Sequence, residues 1–140
     1  MRIVPNNKFL YRCNLSNTSL CDFCSMNVES NKHLFWECHI SRSFWTELEL
    51  FLNNKQIDIK LDYAMISLGY TEQSSYTILL NCTLIYAKYF IFKSKYEKTI
   101  PYFNNFKKYL KYHENLEKLI ALAKDKITNH EKKWNQLQLL

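Results

Sequence analysis

Eighteen residues, Cys21 to Cys38, carry a C-x2-C-x8-H-x4-C pattern inside the segment LCDFCSMNVESNKHLFWEC. No other feature constrains the fold as much. A C-x2-C step lets two sulfurs from one tight turn reach a single metal, and the His-x4-Cys step returns a second pair from the next short element. Three thiolates and one imidazole, from Cys21, Cys24, Cys38 and His33, complete a tetrahedral set for Zn²⁺. Four protein ligands leave no position open for water, so the expected site is structural rather than catalytic. The competing reading is three buried cysteines and a hydrogen-bonded surface histidine.

Cysteine usage agrees with a metal site. The chain has five cysteines, and neither the odd number nor the lack of a signal peptide suits a secreted disulfide scaffold. With three on the metal, Cys82 is expected in a core and Cys13 as a free, partly exposed thiol. A thioredoxin-type reading of Cys21-Asp22-Phe23-Cys24 needs a βαβ context that the pattern does not supply.

The rest of the chain reads as helix. Its 140 residues fit one domain with a respectable core. One Gly and two Pro, against an average of about 7% for Gly alone, leave few tight turns. Ten Tyr and nine Phe make the core aromatic. The apolar run Ile78 to Phe92 is interrupted by Asn81 and Lys88 and falls short of the roughly 20 residues a membrane helix needs. No transmembrane segment is expected.

Periodicity places the elements. Pro5-Asn6-Asn7 is a turn leading into a short, helix-compatible segment. Ile40, Phe44, Trp45, Leu48 and Phe51 or Leu52 mark an amphipathic helix ended by Asn53-Asn54. Ile57, Ile59 and Leu61 alternate with polar residues and read equally as a short strand or as a loop entering a helical turn at Asp62 to Leu68, which Gly69 stops. From about Glu72 to Lys95 lies the most buried helix, with Ser74, Asn81, Lys88 and Lys95 as a single polar stripe. Pro101 is expected to open a last helix whose apolar line runs from Phe103 through Leu110, His113, Leu116, Ile120, Ala123 and Ile127 to Leu137. That line lasts about nine turns at 3.6 residues each, with a bend expected near His113 to Asn115.

The fold expected is mainly α: a small zinc-stapled knuckle, then a helical bundle with a long C-terminal helix. Residues 1–55 would form the knuckle with its following helix and residues 56–140 the bundle, together one compact unit. Charge is uneven. Residues 1–85 hold seven basic and eight acidic side chains, a net of −1, whereas residues 86–140 hold twelve lysines and five acids, a net of +7.

The ligand block, with an aromatic-rich helix directly behind it, resembles the zinc-binding segment that follows the reverse transcriptase domain in LINE-type (non-LTR) retrotransposons. The family pattern is Cys-x2-Cys, an acidic residue, His-Leu-Phe-x-x-Cys and a Phe-Trp pair. Here these are Cys21, Cys24, Glu29, His33-Leu34-Phe35, Cys38 and Phe44-Trp45. The lead-in Arg2 to Asn7, Ile66 to Tyr70, Ile85 to Ile91, Glu117 to Ala123 and Lys132-Lys133-Trp134 also resemble the C-terminal tail of such elements.

The resemblance implies the C-terminal part of a multidomain protein that copies element RNA into a nicked genomic target, in the nucleus and in cytoplasmic ribonucleoprotein. The segment would be a non-catalytic accessory that helps hold RNA or target DNA beside the polymerase portion. The polymerase signature, an Asp-Asp pair after an aromatic residue, does not occur in the sequence. A detached or truncated C-terminal piece with no activity of its own, no small-molecule substrate and no membrane partner is therefore expected.

Contacts to nucleic acid are expected from Lys107, Lys108, Lys111 and Lys118 on the outer side of the last helix, which would bind phosphate without reading sequence. The alternative is a solvated helix face. Phe35, Phe44, Trp45, Phe103, Phe106 and Trp134 follow helical spacing and are expected in the core. Phe23 and Trp36 lie inside the metal loops and are the candidates for base stacking. A different class of function stays open: a zinc-stabilised protein–protein docking module that packs on the polymerase portion or on another subunit.

Overall fold

Helices dominate the computed structural model, which describes residues 5–137; Arg2 to Val4 of the lead-in lie outside that range. The order is α1 (Asn7–Arg12), a π-helical turn (His33–Glu37), α2 (His39–Asn54), α3 (Tyr63–Leu68), α4 (Thr77–Tyr96), α5 (Phe103–Ala123) and α6 (Ile127–Trp134). Among the described residues there is no sheet, only an isolated antiparallel bridge between Leu20 and Val28. The mainly helical class read from the sequence is the one the structure has.

Local chemistry explains where helices begin. Asn6 caps α1 by accepting from the Phe9 N–H at 2.9 Å, and Asp62 caps α3 by accepting from Met65 N–H at 2.7 Å. Each satisfies one of the donors that a helix start leaves without a partner. The segment with Ile57, Ile59 and Leu61 is a loop. Its alternate side chains are buried, but its N–H groups turn to side chains of α2: Ile59 donates to Asn53 and Leu61 to Glu49.

Three expectations need correction. The fourth helix starts at Thr77, not near Glu72, because the Thr77 hydroxyl donates to the Glu72 carbonyl and accepts from Ser74 N–H, folding residues 72–77 into a loop. Pro101 does not open α5. Tyr102 is still extended and helical structure begins at Phe103. The long last helix is two helices. Asp125 turns left-handed (φ 54°), Lys126 N–H donates back to Ala121 carbonyl and Asp125 N–H to Leu122 carbonyl, the paired bonds of a Schellman stop. The chain then reverses, so that α6 lies along α5, whereas the bend had been expected ten residues earlier.

Phe44 of α2 anchors the core. Its ring centroid lies 5.2 Å from Phe106 and 6.1 Å from Phe103 of α5, and 5.9 Å from Phe90 of α4. Edge-to-face and offset contacts of this kind add directional energy to simple burial. Leu48, Leu52, Leu80, Leu84, Ile91 and Leu110 fill the space around it and are fully buried. All six aromatics expected in the core are buried there.

Two residues of the polar stripe, Asn81 and Lys95, face protein, whereas Ser74 lies in the exposed loop before α4. Asn81 accepts from the Tyr70 N–H and donates to the Tyr70 carbonyl, clamping the chain just after Gly69, and Lys95 is buried. Solvent instead meets apolar residues of the same helix: Ile78 is 75% exposed, Ile85 62%, Tyr89 58% and Tyr96 82%. Tyr112, Leu116, Leu119 and Ile120 of α5 are exposed as well. Periodicity finds a helix apolar nearly all round but does not say which arc meets the core.

Candidate metal centre and basic surface

Cys21, Cys24, His33 and Cys38 converge, with one ligand atom from each within 4.8 Å of all the others. Two short antiparallel arms build the first half. Cys21 N–H donates to Asn27 carbonyl and Glu29 N–H to Ser19 carbonyl, flanking the Leu20–Val28 bridge. Ser25, left-handed at φ 55°, closes the turn by donating to the Cys21 carbonyl. That turn sets Cys21 and Cys24 on one side, and the N–H groups of Phe23 and Cys24 reach the Cys21 sulfur.

The second half comes from the π-turn. Cys38 N–H donates to the His33 carbonyl at 2.8 Å, five residues back, which places His33 and Cys38 on one side of a single wide turn. π-turns of this kind concentrate at functional sites. Trp45 Nε1–H donates to the Phe35 carbonyl at 2.6 Å and the Ser41 hydroxyl donates to the Leu34 carbonyl, so α2 satisfies the turn's free acceptors. Cys38 also caps α2, and the N–H groups of Ile40 and Ser41 point at its sulfur.

Distances fit a tetrahedral ion. The Cys21 and Cys38 sulfurs are 3.9 Å apart, close to the about 3.8 Å edge of a tetrahedron with Zn–S bonds near 2.3 Å. The Cys24 sulfur lies 3.3 Å from His33 Nε2. Cys21, Cys38 and His33 are buried and Cys24 is half-buried. The hydrogen bond from Cys21 to Cys38, with burial adding to it, pushes the Cys21 thiol well up; accepting that bond draws the Cys38 thiol down despite burial. A bound cation would take the place of the thiol protons. A soft, closed donor set of three thiolates and an imidazole fits zinc better than hard cations, which prefer oxygen.

Around the ligands lies a layer of paired charges; sequence reasoning named Glu29 in the family pattern and Lys95 in the polar stripe but not their pairing. Glu29 is fully buried (0% exposed) and has every oxygen occupied. Its Oε1 accepts from Asn7 N–H at 2.8 Å and from Lys95 Nζ at 3.0 Å, while Oε2 accepts from Asp22 N–H at 2.9 Å. Lys95 spends its other protons on Asp22 and on Asn7 Oδ1. Asn7 in turn donates to the Leu20 carbonyl and to Asp22 Oδ1. Burial opposes the charge on Lys95, but the two carboxylates outweigh it and hold the ammonium above its ordinary pKa; Asp22 is held down in the same way. The available signal was a lysine on an otherwise apolar helix.

The expected nucleic-acid contacts are spread over two regions. Lys107, Lys108 and Lys118 are exposed on α5. Lys111 is half-buried and pairs with Glu114 at 3.2 Å. Lys111 and Lys118 also help line a pocket of about 180 Å³ between α5 and α6, together with Glu114, His130 and Trp134. Phe23 and Trp36, at the metal loops, are half-buried against the core, and the Arg42 guanidinium sits over the Trp36 ring at 4.2 Å. Cys13 is exposed and Cys82 half-buried. No helix among the described residues is long and apolar enough to cross a membrane.

Neither known protein families, nor curated proteins, nor solved structures give a match to this chain.

Proposed function

We propose that this chain is a zinc-stabilised nucleic-acid-binding accessory module of a LINE-type reverse transcriptase, holding template RNA or target DNA and catalysing nothing by itself. Zn²⁺ on Cys21, Cys24, His33 and Cys38 acts as a structural staple with no position left for water. The observation that carries the binding role is the exposure of Lys107 and Lys108 on the half of α5 that Phe103, Phe106 and Leu110 lock in the aromatic core, with Lys118 exposed further along the same helix. Lysines held on a rigid helix attract phosphate by charge and counterion release, without reading bases. Lys111, partly neutralised by Glu114, contributes less. Phe23 and Trp36 would supply stacking, with the Arg42 plane extending the Trp36 surface.

Replacing Lys107, Lys108 and Lys118 with Gln lowers affinity for structured RNA and single-stranded DNA of any sequence. The salt dependence flattens by roughly 0.7 per lost phosphate contact. Trp36→Ala lowers affinity with the slope unchanged, because stacking releases no counterions. Unchanged binding by the lysine variant at low salt would reduce these lysines to a solvated face. The docking reading then takes precedence, favoured by the exposed apolar residues Ile78, Ile85, Tyr89 and Tyr96 of α4. Apolar docking is insensitive to the salt range that dissociates phosphate contacts.

A further inference from the structure

We propose that Lys95, in the last turn of α4, is a positioning residue for the metal centre, holding the Cys21–Cys24 loop closed through Asp22 and Glu29. The inference rests on the metal reading of the four ligands and goes beyond it, because it ties metal affinity to the seating of a helix more than seventy residues away. Among the described residues, Lys95 is the one lysine of α4 whose Nζ reaches the metal loop, bonding Asp22 and Glu29 there and Asn7 at the start of α1. Asp22 sits next to the ligand Cys21, and its N–H is tied to the same Glu29. Glu29 fixes the returning arm, its own N–H donating to Ser19 and its carbonyl accepting from Lys8. One ammonium therefore joins the two arms of the metal loop, helix α1 and helix α4.

The effect is geometric rather than a supply of positive charge. An ion with three thiolates and an imidazole carries a net charge of −1. The group formed by Lys95, Asp22 and Glu29 also sums to −1. Lys95 therefore does not turn the surroundings attractive for the cation. It prevents the fully buried Glu29 carboxylate from standing unpaired, where it would seek water, and ties the solvent-facing Asp22 carboxylate to the same point. Without it, the easiest route to solvent for Glu29 is for the loop to swing off α4, and Asp22, no longer tethered, does not hold it back, so that Cys21 and Cys24 move away from His33 and Cys38. Groups that orient a ligand without touching the metal commonly alter affinity by about 10–100-fold.

The test is zinc affinity of the full chain, measured by competition with a chromophoric chelator, together with the visible spectrum of the Co²⁺-substituted protein. Lys95→Met is expected to weaken zinc binding at least tenfold and to lower the intensity of the tetrahedral Co²⁺ bands. Asp22→Asn keeps the side-chain shape and serves as the second variant should Lys95→Met not fold; it is expected to weaken binding in the same direction. Glu117→Gln perturbs a different charged contact, which joins α5 to Tyr86 of α4 and to Lys133 of α6, and is expected to leave zinc affinity unchanged. Wild-type affinity and an unaltered Co²⁺ spectrum in folded Lys95→Met or Asp22→Asn overturn the proposal while leaving the metal site intact. A loss of affinity as large in Glu117→Gln also overturns it, since the effect would then be general destabilisation. Failure of the wild-type chain to bind zinc or cobalt overturns the metal reading itself.

Discussion

Glu117 gathers donors from two neighbouring helices onto one carboxylate. It accepts from the Tyr86 hydroxyl of α4 at 2.6 Å, and from Lys133 Nζ and Trp134 Nε1–H of α6 at 3.0 and 2.8 Å. Burial raises its pKa, but these three bonds outweigh the burial and hold it below its ordinary value of 4.5. A carboxylate lowered on folding adds stability that is fully present above the unfolded value and disappears as pH falls through the folded one. Loosening of α6 on acidification below about pH 4.5 is therefore expected, followed through the indole N–H resonance of Trp134. Glu117→Gln should cost about 1.5–3 kcal/mol at neutral pH, the usual range for hydrogen bonds to a charged group. It should also remove the acid-dependent part of the Trp134 change. An unaltered pH profile in the variant would assign the transition to another group. The sequence did not expose this hub, since Glu117, Tyr86 and Trp134 come together only through the reversal at Asp125.

At the scale of elements, a chain with one glycine must stop its helices by other means. Four helices end on a non-glycine residue in the left-handed region: Asn14 after α1, Gln56 after α2, Lys98 after α4 and Asp125 after α5, with φ between 54° and 65°. Each is followed by the Schellman return bond, from Leu15 to Leu10, Ile57 to Leu52, Thr99 to Ser94 and Lys126 to Ala121. Asn and Asp tolerate this conformation, whereas Gln and Lys pay about 1–2 kcal/mol for it. Gln56→Gly should therefore stabilise the chain by about 0.5–1 kcal/mol, after the greater unfolded freedom of glycine offsets part of the relief. Denaturant unfolding measures it, and a destabilised Gln56→Gly variant would contradict the strain. The same chemistry explains which elements were legible. Apolar spacing of three and four marked α2, the body of α4 and the first half of α5, because those stretches pack along their whole length. The break between α5 and α6 was missed because the stop is an aspartate whose left-handed turn leaves no mark in hydrophobic periodicity. The four ligands were legible because metal coordination dictates both residue type and spacing. Lys95 and Glu29 were not recognised as partners, because their pairing depends on how α4 seats against the knuckle.

For the whole molecule, two kinds of cohesion meet along α2. On one side its aromatic residues join α4 and α5 in a core of Phe44, Phe90, Phe103 and Phe106 that contains no metal ligand. On the other side Ser41 and Trp45 hold the π-turn that carries His33 and leads to Cys38. The first half of the knuckle has little apolar substance: Leu20, Met26 and Val28 are exposed, and its arms are joined by one bridge, a few backbone bonds and the ionic contacts of Glu29, while the buried Leu34 and Phe35 belong to the π-turn. Two arms so poor in apolar burial would depend on a bound ion for order, whereas the aromatic core would not. Purified protein is expected to carry one zinc per chain by elemental analysis, and Cys38→Ser to lose it. Chelation should then act unevenly. In hydrogen exchange, the amides of Cys21, Ser25, Glu29 and Cys38 should lose protection, while those from Thr83 to Ile91 in α4 keep theirs. Helical circular dichroism should fall only slightly, because α2, α4 and α5 hold most of the helical residues. Loss of protection throughout α4 would mean that the ion organises the bundle as well as the knuckle, and full protection of the knuckle without metal would mean that hydrogen bonds alone hold it.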